Sequence, residues 1–271
     1  MSAELRQEVS SWWSGNPQTY GDLHGTPSFR GDETALGDAA FYAHADQAFF
    51  EWNRPLHGAQ PFDRLFPYAE FKSRPVLEIG CGMGAMASLW ARQGAHVSAV
   101  DLAPFSVEMT RQRFALLGLQ GRIEEADARA LPFADGTFDY VYSWGVLHHS
   151  PDLGQSLREM MRVLRPGGKF GLMLYHRHSL FYLWRIRYRE GRVHDEGRFL
   201  DPVALASRYT DGSEAEGNPH TWPVTRSELR GLLKPFSEEL SFRVLGTEVG
   251  ELFDSMLPGF GGLVPRWALK P

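Results

Sequence analysis

A doubly wound α/β fold with a mostly parallel sheet is predicted by three features of the sequence. From Pro75 to Tyr175, short apolar runs alternate with segments of helical spacing, the pattern of a parallel sheet covered on both faces. The first run, Val76-Leu77-Glu78-Ile79, breaks into Gly80-Cys81-Gly82-Met83-Gly84 before helical spacing resumes at Ala85. Glycine at alternate positions supplies positive φ and lets backbone approach a ligand closely. Later runs end on Asp101, Asp127 and Ser143, so polar groups collect at the carboxyl edge of the sheet, where open α/β folds bind ligands.

The elements follow in order. Leu5, Val9, Trp12 and Trp13 share one face of a helix over residues 3–13. Residues 14–35, rich in Gly, Pro, Ser, Asp and Thr, read as a long loop whose conspicuous aromatic is Tyr20. Phe41, Ala45, Ala48, Phe49 and Trp52 stripe a second helix, and residues 55–68 are loop-like with Phe62, Phe66 and Tyr68. Residues 1–70 are therefore expected to form an N-terminal helical lid. Residues 71–175 form the core: a first strand at Val76, a second from His96 to Asp101, a third from Arg122 to Asp127, a fourth from Phe138 to Ser143 and a fifth from Lys169 to Tyr175. Pro104 opens the helix after the second strand, where its missing N–H costs nothing. That helix carries Val107, Arg111, Phe114 and Leu117. Leu157, Met160, Met161 and Leu164 stripe the helix before the fifth strand, closed by Arg165-Pro166-Gly167-Gly168. Residues 176–240 read as a substrate-cap insertion after the fifth strand, with a helix from Thr225 to Leu233 whose Thr225-x-x-Glu228 is a capping signal. Residues 241–271 are expected to complete the sheet, with a sixth strand at Leu240–Glu248 and a short last one at Leu263–Ala268.

Composition excludes several classes. With 271 residues and 43% hydrophobic content the chain can bury one large core with a smaller cap. A net charge of −5 offers no broad attraction for phosphate, so no nucleic-acid partner is expected. Cys81, the single cysteine, rules out an intrachain disulfide or a multi-cysteine zinc site. The first 30 residues lack a signal-peptide stretch and no run reaches the ~18 apolar residues of a membrane span, which makes the cytoplasm the expected location. Oligomeric state is left open.

The strand ends select a ligand. Glu78 can fix the glycine turn or receive an ammonium, and Asp101 can accept ribose hydroxyls. Asp127 with Ala128 suits an adenine edge, and Ser143-Trp144-Gly145 can present backbone to an amino-acid moiety. A ligand with ribose, adenine and an α-amino acid but no phosphate fits this set. Gly80-x-Gly82-x-x-Ala85 with Asp101 also satisfies a permissive dinucleotide fingerprint, which keeps an NAD(P)-dependent oxidoreductase as the alternative. That reading leaves Asp127, Ala128 and the Ser143–His149 segment without a task.

Five ordered stretches decide the resemblance: Val76 to Gly84, Val100-Asp101-Leu102, Asp127-Ala128-x-x-Leu131-Pro132-Phe133, Phe138-Asp139-Tyr140-Val141 through Leu147-His148-His149, and Val163-Leu164-Arg165-Pro166-Gly167-Gly168. Together they resemble the class I S-adenosylmethionine-dependent methyltransferases, in the small-molecule branch that includes quinone and natural-product enzymes, with a Rossmann-like core. The resemblance implies S-adenosyl-L-methionine as cofactor and S-adenosyl-L-homocysteine as product. It implies cofactor contact by Gly80, Cys81, Gly82 and Gly84, by Asp101 and Leu102 at the ribose, and by Asp127 and Ala128 at the adenine. It also sets the Ser143–His149 region, with Trp144, near the methionine and methyl group. Tyr20 is expected to lie over the cofactor as a lid aromatic, since aromatic faces favour a sulfonium. A non-catalytic S-adenosylmethionine-binding protein would carry the same set.

Methyl transfer is an in-line displacement that needs alignment and, for many acceptors, a base. His148, His149, Tyr175 and His178 are the candidate catalytic residues. His176 and His178 alternate suitably for one strand face but no third ligand is indicated, so no metal is expected. Residues 180–189 interleave Phe181, Tyr182, Trp184, Ile186 and Tyr188 with Arg185, Arg187 and Arg189, and leave helix or strand undecided. They read as a cap whose arginines snorkel over apolar surface. The sharper reading, ranked below the cap, is a pocket for an aromatic or isoprenoid small-molecule acceptor, or for a substrate carrying phosphate or carboxylate, with contact to a membrane surface not favoured. No Asn-Pro-Pro-aromatic stretch follows the fourth strand, which the resemblance would link to methylation of base or amide nitrogens.

Overall fold

The computed structural model describes residues 3–16, 37–211, 217–237 and 239–243. Tyr20, the Leu263–Ala268 strand and most of the Leu240–Glu248 strand lie outside the described residues, and residues 240–243 carry no strand. The chain divides into two units, Met1–Leu147 with Asp152–Met173, and His148–Pro151 with Leu174–Pro271.

Among the described residues the first unit is built on five parallel strands, β1 (Pro75–Ile79), β2 (His96–Asp101), β3 (Gly121–Glu125), β4 (Phe138–Trp144) and β5 (Leu164–Met173), in the order β3-β2-β1-β4-β5. Glu78 stands opposite Ala99 on one side and Tyr142 on the other, so the tips of the three central strands come level. Strand order reverses beside β1, which is where this class of sheet leaves a crevice at its carboxyl edge. The helices are α1 (Ala3–Gly15), α2 (Ala39–Trp52), α3 (Ala85–Arg92), α4 (Pro104–Leu116) and α5 (Leu153–Val163).

Two boundaries differ from expectation for local reasons. β3 pairs with β2 only as far as Glu125, and Asp127 instead closes an isolated bridge with Ala130. α5 ends at Val163 because Leu164 turns to extended backbone and pairs with Phe138 as the first residue of β5.

The loop-like segment before β1 supplies much of the core. Phe49, Leu56, Phe62, Phe66, Tyr68 and Phe71 form one buried cluster with Val76, Trp90, Tyr140 and Tyr142. Large aromatic areas removed from water make this segment part of the sheet's packing. α2 is fixed to α4 by polar contacts as well. Arg113, 2% exposed, pairs with Asp46 at 2.8 Å, and the Tyr42 hydroxyl donates to the Met109 carbonyl at 2.6 Å.

The second unit holds a π-helix at Phe181–Val193, which resolves the ambiguous aromatic–arginine stretch, and two α-helices, α6 (Pro202–Tyr209) and α7 (Arg226–Leu233). Asp201 caps α6 by accepting from Val203 and Ala204 N–H, and Tyr182 and Ile186 bury against Leu205 and Ala206. Thr225 and Glu228 form the capping box of α7. Among the described residues no helix is long and apolar enough to cross a membrane.

Candidate active site

The glycine turn is locked to β2 before any ligand is considered. The N–H groups of Gly80 and Cys81 both donate to the Val100 carbonyl, at 2.8 and 3.0 Å. Gly80, Gly82 and Gly84 all have positive φ, and Gly84 caps α3. The three positions are not equivalent. A Cβ at Gly80 would lie 2.3 Å from the Val146 side chain, whereas a Cβ at Gly82 meets nothing within 4 Å. Gly82 thus leaves a shelf of bare backbone at the strand edge. Cys81 is buried, its thiol pushed well up by burial, and it sits against the Thr110 hydroxyl at 3.5 Å. It fills the turn and is not a thiolate.

Asp101 ties this turn to the loop after β2. One carboxylate oxygen accepts from Gly82 N–H and the other from Ala103 N–H, both at 2.9 Å. Burial nevertheless pushes its carboxyl above the usual range, so these two bonds do not offset its desolvation. Leu102 is held from the other side, its carbonyl accepting from Ser10 of α1 at 2.9 Å.

Asp127 is engaged by cations. Arg129 bonds both its oxygens through the side chain, and Arg6 of α1 reaches it at 3.2 Å. Burial would raise this carboxyl, but the Arg129 hydrogen bonds and both guanidinium charges hold it below the usual range. To accept from an adenine amine, Asp127 has to exchange part of this pairing. Ala128 follows in the same loop, between the paired Asp127 and Arg129.

At the tip of β4, the Ser143 hydroxyl donates to the Ile79 carbonyl at 2.8 Å and so has no proton left to donate to a ligand. The Trp144 ring meets Phe62 edge-on at 5.3 Å. Glu78 is 3% exposed, and burial pushes its carboxyl up to about 8. Between its ordinary value of 4.5 and about 8 the folded chain holds a proton that the unfolded chain has released. The folded state then binds more protons, so stability falls as pH rises across that window. Glu78→Gln keeps the shape and removes the titration. In ligand-free thermal melts its Tm should exceed that of the wild type at pH 8 and converge on it near pH 5. Parallel melting curves at both pH values would show that Glu78 is not held protonated.

The second unit gathers another polar cluster. His149 Nε2 lies 3.3 Å from Asp211 Oδ2, and the Tyr175 hydroxyl donates to Asp211 Oδ1. On the far side of the ring, His149 Nδ1 meets the His220 carbonyl at 2.9 Å and the Thr221 hydroxyl at 3.1 Å. Asn218, 4% exposed, sets those partners in place: its amide donates to the Ser207 and Thr210 carbonyls, and its oxygen accepts from Thr221 Oγ1. Gly217 has to be glycine there, since a Cβ would lie 2.3 Å from the Ser207 carbonyl. His148 is fully buried and packs against Tyr175, the ring centroids 4.0 Å apart and the planes tilted by 34°. Burial drives its imidazole well below the usual range and keeps it neutral.

Of the expected residues, Glu78, Gly80, Cys81, Gly82, Gly84, Asp101, Leu102, Ser143 and Trp144 gather at the tips of β1, β2 and β4. His148, His149 and Tyr175 join one cluster, and His178 does not: it is exposed, its N–H donating to His176 Nδ1. Arg6, Ser10, Thr110, Asp211 and Asn218 had no signal in the linear pattern, because each acts through a distant loop or helix.

The model of the methyltransferase domain family matches residues 77–172. The chain is 35% identical over 169 residues to a ubiquinone biosynthesis O-methyltransferase of Xanthomonas oryzae, an alignment covering 57% of this chain and 69% of that protein. It therefore belongs to the class I S-adenosylmethionine-dependent methyltransferase family, whose cofactor is S-adenosylmethionine. It is also similar to the methyltransferase GfsG of Streptomyces halstedii, at 40% identity over 116 residues, 42% of this chain and 41% of GfsG. The chain thus spans well under half the length of that relative. A SAM-dependent methyltransferase from Methanosarcina mazei shares the fold with a TM-score of 0.52 at 22% identity, covering 65% of this chain and 84% of the other. None of these relatives is an oxidoreductase.

Proposed function

We propose that the chain transfers a methyl group from S-adenosylmethionine to an oxygen, carbon or nitrogen of a small-molecule acceptor. The observation that supports this best is Asp101, whose two oxygens span Gly82 and Ala103 beside a shelf that a Cβ would not obstruct. Gly80–Gly84 and Cys81 would hold the nucleoside's inner edge, Asp101 and Leu102 the ribose, and Asp127 and Ala128 the adenine once Arg6 and Arg129 re-partner. Glu78 and the backbone of Ser143 and Trp144 would receive the amino-acid end, and Tyr20 is retained as a lid residue. When bound, the cofactor supplies a methyl on a sulfonium, poised for in-line displacement.

For the acceptor, the cluster of His148, His149, Tyr175 and Asp211 is the proposed activating group, with His149 taking the acceptor's proton as the new bond to the methyl carbon forms. Its orientation by His220, Thr221 and Asp211 supports that role. His178 is the weaker candidate, being outside this group. The stacked pair Trp184 and Tyr188, 4.8 Å apart on the π-helix, supports an aromatic or isoprenoid acceptor. The setting is proposed to be the cytoplasm.

Thermal titration tests the cofactor. S-adenosylhomocysteine at about a hundred times its Kd should stabilise the chain by about 2.7 kcal/mol, a rise of roughly 5–10 °C, while NADH leaves Tm unchanged. A rise with NADH alone overturns the reading. Turnover is then sought by mass spectrometry of a metabolite extract for the gain of one methyl. His149→Gln should lower kcat by about 10²–10⁴-fold with S-adenosylhomocysteine affinity retained. Full activity in that variant across pH removes His149 from the chemistry.

A further inference from the structure

We propose that His148, His149 and Asp211 bind one divalent first-row transition-metal ion, of the zinc, iron(II) or manganese(II) class. Each residue offers one ligand atom, and these atoms all lie within 4.8 Å of one another. Two imidazoles and one carboxylate are a donor set that suits such ions and leaves coordination positions open. All three residues belong to the second unit, so the site is complete within it.

The independent observation is His148. His148 is 0% exposed, and among the described residues neither ring nitrogen has a hydrogen-bond partner. A buried polar group is normally paired, and each exception calls for an explanation such as an ion. The tilted contact with Tyr175 accounts for the ring's packing but satisfies neither nitrogen. A metal ion would take one of them as a ligand. Had the chain needed only an apolar filler at this position, an aliphatic side chain would serve without the desolvated nitrogens.

The surroundings are those that orient ligands. The His220 carbonyl, 2.9 Å from His149 Nδ1, accepts a hydrogen bond from Nδ1–H and so leaves Nε2, the atom facing Asp211, with its lone pair. The Tyr175 hydroxyl donates to Asp211 Oδ1 and leaves Oδ2 toward the imidazole. A ligating histidine held by a carbonyl and a ligating carboxylate held by a hydroxyl are the usual outer partners of a protein-bound metal. His176 and His178, the pair singled out by alternation along the chain, are engaged with each other through a backbone N–H and bring no carboxylate. The same cluster is the proposed acceptor-activating group. The metal inference deepens that reading and rests on it only for what the ion would do: with His149 Nε2 held as a ligand, the ion takes over that residue's proton-accepting part, since an open position could take an acceptor oxygen and favour its ionised form.

Metal retention is measured without turnover, which keeps the two claims separable. The full-length chain is stripped with chelator, titrated with Co²⁺ and, separately, Zn²⁺, desalted, and assayed for metal per chain and for visible cobalt d–d bands. One equivalent retained, with bands of a low-coordinate N/O site, is expected. Asp211→Asn and His148→Ala should each weaken retention at least tenfold, and His176→Ala combined with His178→Ala should leave it unchanged. S-adenosylhomocysteine binding to each variant checks that the first unit is intact, and far-ultraviolet circular dichroism checks the whole chain. Thr221→Val offers a milder probe that leaves all three ligands in place, with an expected loss of several-fold. No stoichiometric retention by the wild type overturns the site, as does equal retention by Asp211→Asn and His148→Ala. A chain that keeps the ion but transfers no methyl supports the site and removes the proposed reaction. A stripped chain that transfers methyl at the full rate overturns the ion's part in activation.

Discussion

Asp101→Ala should weaken S-adenosylhomocysteine binding by at least 100-fold while leaving a folded chain. The carboxylate accepts from Gly82 and Ala103 N–H at 2.9 Å each, so it shapes the turn and the following loop together. A hydrogen bond to a charged group is worth about 1.5–3 kcal/mol, and removal of this one acceptor leaves two backbone donors to find water. Loss of the proposed ribose partner adds to the loss of the preformed turn. Asp101→Asn is the informative companion, since its amide oxygen can serve only one of the two N–H groups while the NH₂ opposes the other. Its affinity should fall between the alanine variant and the wild type. Titration calorimetry at constant salt measures both. An alanine variant within threefold of wild-type affinity would mean that the cofactor does not sit at this strand edge.

The sheet was legible because its determinants are local. Apolar runs at Val76, His96 and Phe138, the glycine turn and Pro104 each fix their own element without help from distant residues. The strand tips followed from the same pattern, which is why Glu78, Asp101 and Ser143 fell where expected. What escaped was set by tertiary packing. Phe62 and Phe66 read as loop aromatics, yet both are in the core because the loop folds back over β1 and β4. Asp127 read as an open acceptor, but α1 brings Arg6 to it from 121 residues away. The histidine cluster shows the limit most clearly. His148 and His149 were visible as a pair, while the third member, Asp211, comes from beyond α6, against which Asn218 is bonded at the Ser207 carbonyl. No spacing rule points to a close approach that only a glycine permits, where a Cβ on Gly217 would strike the Ser207 carbonyl.

The two glycines of the turn should separate folding from binding. Gly80→Ala places a methyl 2.3 Å from the Val146 side chain at a φ of +82°. Neither neighbour can relax cheaply. Gly80 and Cys81 N–H are bonded to Val100, and Val146 follows the tip of β4 by two residues. Positive φ alone costs a non-glycine residue roughly 1–2 kcal/mol, and overpacking adds about 1–3 kcal/mol. The expected outcome is a drop of several degrees in Tm, with the loss of binding a consequence of a distorted turn. Gly82→Ala carries the φ penalty without the clash, because its Cβ enters open space. That variant should melt within a few degrees of the wild type yet bind S-adenosylhomocysteine at least tenfold more weakly, the new methyl occupying the volume the ligand needs. Thermal melts paired with calorimetry distinguish the cases. If Gly82→Ala bound as tightly as the wild type, the bare backbone at residue 82 would face solvent only, and the glycine would be there for the turn alone.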